Sequence, residues 1–124
     1  MRIVEGEEHD PLCATYQTLE VARLNDALKE CGVSDRNIRR AVCEAYFFNS
    51  GHFLDSCWFS ESSRRFRVGI YFAELDASNT LTGTVYLPAP SVGTMFHEYA
   101  HGAAAWLFDD HAESVEEIEV GDTE

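Results

Sequence analysis

The sequence predicts a single α+β domain with the element order ααβββα: an antiparallel meander of about three strands, helices packed on one face of it, and an acidic C-terminal tail. Capping residues and helical periodicity mark two segments in the first half of the chain. In the middle, apolar and polar residues alternate as they do in half-buried strands. The 124 residues, 45% of them hydrophobic, suffice for one core, whereas two domains of this chain would each be marginal.

The first predicted helix begins at Asp10-Pro11 and runs to Cys31. Aspartate is a preferred capping residue, and proline fits the first turn because the N–H that it lacks would have no partner there. Gly32 is well placed to end this helix, because glycine readily adopts the left-handed conformation that often follows a helix.

A second helix is predicted from Asp35 to Asn49, with Ser34 as its cap and Asn49-Ser50-Gly51 as its end. Asp35 also favours the positive end of the helix dipole. The predicted inner face is a stripe of apolar residues: Ile38, Ala41, Val42 and Ala45.

Three strands follow, at residues 56–60, 66–75 and 81–87. Their short connections predict an antiparallel meander, since parallel neighbours need long crossovers. Residues 1–4 are expected to form either a short strand or a loose end.

A third helix, capped by Ser91, is predicted to run to about Phe108, so that the domain spans residues 1–108. Residues 109–124 contain eight acidic residues and are expected to form a frayed tail. The alternative is that three apolar residues dock this tail on the body: Val115, Ile118 and Val120.

The sharpest motif is His97-Glu98-Tyr99-Ala100-His101 on the third helix. Residues four apart lie one turn apart on the same face, so both imidazoles can bind one Zn²⁺ while the glutamate acts on the bound water. In this segment the chain resembles the zinc metallopeptidases. The resemblance implies that His97 and His101 are metal ligands and that Glu98 is the general base.

A zinc site needs a third protein ligand, whose identity the sequence leaves open. The longer HExxHxxGxxH pattern is absent, because Ala104 and Leu107 stand where it has glycine and histidine. We name His111 as the candidate third ligand, about 15 Å beyond His101 if the helix continues. The other candidates are Glu113, Glu116, Glu117, His52 and His9.

Charge is the most unusual property of the chain, which carries a net −13. Residues 68–124 contain 11 acidic residues and no Lys or Arg, while six of the Arg residues lie between positions 36 and 67. A negative field of this size repels nucleic acids and anionic membranes, so neither is expected as a partner. The arginines are expected either to bind an anion or, as we favour, to neutralise the acidic ends of the same molecule.

Two functions therefore compete. The acidic surface favours a small binding or regulatory module of the inhibitor or immunity type, without catalytic activity, that binds a basic protein or associates with itself. The HExxH motif favours a small zinc-dependent hydrolase, and zinc is the one cofactor that the sequence suggests. We expect a cytoplasmic protein, because residues 1–10 lack the apolar run of a secretory signal and four widely spaced cysteines are typical of buried free thiols.

Overall fold

Three helices form the body of this protein, whose computed structural model describes residues 1–90 and 93–122. In chain order the elements are β1 (Arg2–Glu5), α1 (His9–Glu30), α2 (Arg36–Ser56), β2 (Phe59–Glu61), β3 (Arg64–Phe66), β4 (Phe72–Leu75), β5 (Leu81–Leu87) and α3 (Phe96–Ala105). A π-helical turn, Trp106–Asp110, continues α3. The α+β class is therefore confirmed, and residues 1–4 belong largely to a strand.

The strands form a mixed sheet and a separate hairpin, so the predicted three-stranded meander is only partly correct. Strand β5 pairs in parallel with β1 and antiparallel with β4. Strands β2 and β3 pair only with each other among the described residues. Their connection is a two-residue turn in which Ser62 and Ser63 have φ of 51° and 64°, the conformation that closes a tight hairpin. The long strand predicted at residues 66–75 is not continuous, because β3 ends at Phe66 and β4 begins only at Phe72.

Helix α2 ends seven residues later than predicted, because Gly51 lies inside it. Its cap is Asp35, whose carboxylate accepts hydrogen bonds from the N–H groups of Asn37 (2.8 Å) and Ile38 (3.3 Å). The prediction that Ser34 caps the helix and Asn49 ends it was therefore wrong. A single glycine in a helix interior costs about 1 kcal/mol, which tertiary packing can offset.

The inner face of α2 is also not the predicted one. Ile38 and Val42 are 53% and 38% exposed, and the buried positions are Arg39, Cys43, Phe47 and Gly51. Arg39 tolerates burial because four of its five N–H groups donate hydrogen bonds. The acceptors are Asn25 Oδ1 (2.9 Å), the carbonyl oxygens of Val33 (3.1 Å) and Ser34 (2.7 Å), and Glu113 Oε1 (2.9 Å).

The core lies between the helices and the π-helical turn. Its buried members are Val21, Ala22, Cys43, Phe47, Ala100, Ala103, Ala104, Leu107 and Phe108. The sheet contacts α1 mainly through Phe72, whose ring lies 5.2 Å from that of His9 and 6.0 Å from that of Tyr16. The start of the third helix was predicted at Ser91; residues 91–92 lie outside the described part, and α3 begins at Phe96.

The segment after α3 lies against the body through residue Glu113. Its carboxylate accepts a hydrogen bond from Asn25 (2.9 Å) and pairs with Arg39 (2.9 Å) and Lys29 (3.4 Å). Val115 packs against the core, as in the docked alternative, whereas Val120 is 66% exposed. The segment is thus attached near its start, and its acidic residues meet the basic side chains of α1 and α2.

Candidate metal site between helices α2 and α3

Helices α2 and α3 come close together at Gly51. A Cβ atom at this position would lie 2.5 Å from the backbone nitrogen of His97 and 2.7 Å from the carbonyl carbon of Phe96, closer than real side chains approach. Only glycine therefore allows this packing. As a result, the last two turns of α2 lie directly against the first turn of α3, where the HExxH motif begins.

Asp55 on α2 caps the N-terminus of α3. Met95, at the capping position itself, makes no side-chain cap. Instead, Asp55 Oδ1 accepts hydrogen bonds from Phe96 N (2.8 Å) and Thr94 Oγ1 (2.7 Å), and Oδ2 accepts one from His97 N (2.9 Å). The side chain of Asp55 is only 5% exposed. A carboxylate at this position satisfies N–H groups that have no partner within the helix and complements the helix dipole.

The same carboxylate orients the imidazole of His97, because Asp55 Oδ2 is hydrogen-bonded to His97 Nδ1. Burial alone would raise the pKa of Asp55, but the hydrogen bonds from His97, Thr94 and Phe96 hold it below its usual value. The ionised carboxylate can only accept, so Nδ1 of His97 is the donor in this contact. In the Nδ1-protonated neutral tautomer, Nε2 has a free lone pair, as a metal-binding histidine requires.

His101 has a similar arrangement one turn later. Its Nδ1 lies 3.3 Å from Oε2 of Glu44, another α2 residue. Glu44 also accepts a 2.9 Å hydrogen bond from Arg40, and this bond is the main reason why the pKa of Glu44 lies below its usual value. Both histidines of the motif therefore have a carboxylate at Nδ1, the outer-sphere arrangement that commonly orients histidine ligands of zinc.

Two aromatic residues of α2 complete the surroundings. The ring of Phe48 lies 6.1 Å from that of His97 and 5.8 Å from that of His101. The ring of His52 lies 6.2 Å from that of His97 and perpendicular to it. Nδ1 of His52 is 3.5 Å from Oγ of Ser56.

Glu98, the predicted base, lies on the open face of α3. Its Oε1 is 4.0 Å from Nε2 of His97, and its side chain is 54% exposed. It borders a groove of about 270 Å³ between α1 and α3, where Gly102 and Trp106 also line the wall. A Cβ on Gly102 would meet no atom within 4 Å, so the space beside Glu98 is open.

The other histidines lie elsewhere. His111 stacks on Trp106 at 3.6 Å between ring centres, with Nδ1 at 2.9 Å from Trp106 O and Nε2 at 3.1 Å from Glu117 Oε2. The buried His9 uses Nε2 for the carbonyl of Ile70 (2.9 Å) and Nδ1 for the sulfur of Cys13 (3.2 Å). Neither histidine contacts His97 or His101.

The carboxylates considered as third ligands are likewise engaged or distant. Glu113 pairs with Arg39, and Glu117 with His111. His97 and His101 both lie beside the ring of Phe48, and Oε1 of Glu98 is 4.0 Å from Nε2 of His97. The downstream candidates His111, Glu113 and Glu117 have their partners elsewhere. In residues 1–90 and 93–122, no group of three His, Cys, Asp or Glu side chains already has the arrangement that holds a metal ion.

The Cys13–His9 pair resembles a nucleophile and its base but has the wrong electrostatics for that role. Burial raises the pKa of Cys13 to about 12, with further contributions from Asp10 and Asp55. The nucleophilic form of cysteine is the thiolate, and at neutral pH this sulfur remains a thiol. The pair is a packing contact.

A second concave surface lies between the start of α1 and the sheet. This groove of about 370 Å³ has an apolar floor that includes Leu12, Phe72 and Tyr86, and Glu8 and Glu74 at its margin. Tyr86 donates a 3.0 Å hydrogen bond to Glu74. No basic residue lines this groove.

The basic residues of α2 face the acidic C-terminal segment, in agreement with the interpretation favoured from the sequence. Arg36 and Arg39 pair with Glu113, and Arg40 pairs with Asp109. These contacts join α2 to the segment that follows α3.

No protein-family model, curated protein or solved structure matches this chain. Among the described residues, no helix combines the length and the apolar character needed to cross a lipid bilayer. The case for a function therefore depends on the geometry at α2 and α3.

Proposed function

We propose that the protein is a zinc-dependent hydrolase in which His97 and His101 bind the ion and Glu98 is the general base. The observation that carries the proposal is the pair of carboxylates, Asp55 and Glu44, at Nδ1 of the two histidines. With one carboxylate, Asp55 both caps α3 and orients the imidazole of His97. Such contacts fix the tautomer and increase the basicity of a histidine ligand.

His97 and His101 would hold the zinc ion, which would lower the pKa of a bound water to about 7 and so supply the nucleophile for hydrolysis of an amide or ester. Glu98 would accept a proton from this water and donate it to the leaving amine or alcohol. The groove beside Glu98 lies between α1 and α3, and its lining includes neither His97 nor His101.

Metal analysis of protein purified without a histidine tag tests the proposal. We expect about one zinc per chain, lost in His97→Ala and in His101→Ala. Glu98→Gln should keep the zinc but lose hydrolysis of a quenched fluorescent peptide library, because it removes the base and no ligand. The proposal is refuted if wild-type protein neither contains zinc nor gains thermal stability when zinc is added.

The acidic binding module remains a second candidate, because the groove at Glu8 and Glu74 fits a basic partner. Its apolar floor suits one large side chain, and the two carboxylates suit flanking Lys or Arg residues. An inhibitor or immunity-type protein would use such a surface to cover a basic segment of its target.

Fluorescence anisotropy with labelled peptides, in which one aromatic residue is flanked by arginines, tests this candidate. Binding should weaken as salt rises and in a Glu8→Gln, Glu74→Gln double variant. A matched control, Glu116→Gln with Glu119→Gln, removes the same charge outside the groove and should bind like wild type. Equal loss in both double variants would indicate a general charge effect and would contradict a specific surface.

A further inference from the structure

We propose that the protein associates with itself, and that Trp58 and Arg65 of one copy dock in the acidic groove of a second copy. Both residues belong to the hairpin of β2 and β3, here residues 57–67. The acidic groove is the one with Glu8 and Glu74 at its margin. The inference rests on the second candidate function and deepens it by naming the basic partner.

The hairpin presents positive charge and aromatic rings on a strongly acidic chain. Residues 57–67 contain three Arg and one acidic residue, and all six strand residues are exposed. The ion pairs found in residues 1–90 and 93–122 include neither Arg64 nor Arg65. The guanidinium of Arg65 lies 4.3 Å from the centre of the Trp58 ring, and Trp58 is 52% exposed. A cation and a large aromatic side chain are therefore available together at this surface.

The two faces of the hairpin differ in charge. On one face Glu61 lies opposite Arg64. On the other face Arg65 lies opposite Ser60 and beside Trp58, so this face carries no carboxylate of the hairpin. A carboxylate on the docking face would meet those of the groove, and like charges in contact repel. The face with Trp58 and Arg65 is therefore the one that matches the groove.

Each part of this face has a counterpart in the groove. The groove has an apolar floor and a volume of about 370 Å³, within the range of about 300–1,000 Å³ that is usual for ligand pockets, so an indole ring fits. At its margin, Glu8 and Glu74 can pair with the guanidinium of Arg65. Trp and Arg are also the residue types that most often dominate the binding energy of an interface.

The hairpin is held away from the groove of its own chain. Arg67, directly after β3, donates a hydrogen bond to the carbonyl oxygen of Asp55 near the end of α2. The described residues that line the groove include none from the hairpin. Two copies with a net charge of −13 repel at long range. At about 0.15 M salt the Debye length is about 8 Å, so the distant charges are screened while charges in contact still attract.

Sedimentation equilibrium at about 0.15 M salt tests the inference. The average mass of the wild-type protein should rise above the 14.0 kDa of one chain as its concentration increases. Trp58→Ala removes the docked ring, and the Glu8→Gln, Glu74→Gln double variant removes the charges that receive Arg65. Each should weaken self-association by about 10- to 30-fold, the usual effect of losing a dominant interface residue.

Two control variants change the same kinds of group elsewhere. Tyr46→Ala removes an aromatic ring of α2 that is 56% exposed. Glu116→Gln with Glu119→Gln removes two charges outside the groove. Both controls should associate like wild type, and a loss as large as that in Trp58→Ala would overturn the inference.

Mixing the two interface variants separates a specific contact from general adhesion. Trp58→Ala keeps the groove and the Glu8→Gln, Glu74→Gln variant keeps the hairpin, so an equimolar mixture should form a 1:1 complex at concentrations where each variant alone is monomeric. This recovery would also show that both variants are folded. A mixture that stays monomeric while wild type associates overturns the inference. If wild type binds the arginine-flanked peptides but is monomeric at every concentration, the inference is overturned and the second candidate function stands. If it neither binds these peptides nor associates, that function fails as well.

Discussion

The contact at Gly51 predicts that Gly51→Ala destabilises the protein, although glycine-to-alanine changes in helices usually stabilise. The new Cβ would lie 2.5 Å from His97 N, and both sides of the contact are backbone, so no side chain can rotate away. Restoring a normal separation moves the helices apart by about 1 Å. Overpacking of this kind costs about 1–3 kcal/mol, and weakening of the Asp55 cap adds about 1 kcal/mol.

The higher helix propensity of alanine offsets about 1 kcal/mol of this cost, so the net loss of unfolding free energy is about 1–3 kcal/mol. For a chain of this size, each kcal/mol lowers the melting temperature by about 4 °C, so we expect a fall of about 4–12 °C by calorimetry. Gly102→Ala is the matched control in α3, since its Cβ would meet nothing within 4 Å. It should raise the melting temperature by about 2–4 °C. If Gly51→Ala stabilises the protein as Gly102→Ala does, the close contact between α2 and α3 is wrong.

Three further predictions concern the carboxylates. Asp55→Asn should weaken zinc binding 10- to 100-fold and lower the free energy of unfolding by about 1–3 kcal/mol. The reason is that an amide cannot accept all four of the hydrogen bonds that Asp55 receives. Unchanged zinc affinity, measured by chelator competition, would contradict the orienting role of Asp55. Glu113→Ala should lower the free energy of unfolding, measured by urea denaturation, by about 3–5 kcal/mol, because it leaves the buried guanidinium of Arg39 without its counter-ion. A loss below 1 kcal/mol would contradict the buried ion pair. The pKa of Glu113 is lowered to about 2, chiefly by the hydrogen bond from Asn25, with burial opposing the shift and Arg39 adding to it. The ionised Glu113 therefore stabilises the fold fully above the unfolded pKa of about 4.5, and this contribution is lost as the pH falls towards 2. In Glu113→Gln, the urea midpoint should consequently depend less on pH between 5 and 3 than it does in wild type.

The sequence was informative where the signal is local. The last strand, the presence of α1 and the helix that contains HExxH follow from spacing within one segment. The predicted cap of α1 was wrong, because the helix begins at His9 and its capping residue is Glu8, not Asp10. The partners of the HExxH histidines are distant in the chain: Asp55 precedes His97 by 42 residues and Glu44 precedes His101 by 57. No periodicity relates two helices to each other, so their pairing was not predictable without a packing model.

The buried face of α2 was predicted incorrectly for a physical reason. The apolar stripe at Ile38 and Val42 was assigned to the core because burial of apolar residues is the usual rule. In the structure this helix instead buries Arg39, since Asn25 and Glu113 supply its hydrogen bonds. A pattern of hydrophobicity cannot indicate a buried arginine whose partners lie 14 and 74 residues away.

One local signal for the site was nevertheless present in α2. Glu44, Phe48, His52 and Asp55 are spaced by four, four and three residues, which places them on one stripe of a helix. A carboxylate, an aromatic ring, an imidazole and a second carboxylate in that order form the stripe that contacts His97 and His101. Recognising it required α2 to continue through Gly51, since a helix that ends at Asn49 has no such stripe. Gly51, which the sequence predicts as the end of this helix, is thus the residue that lets the stripe face His97.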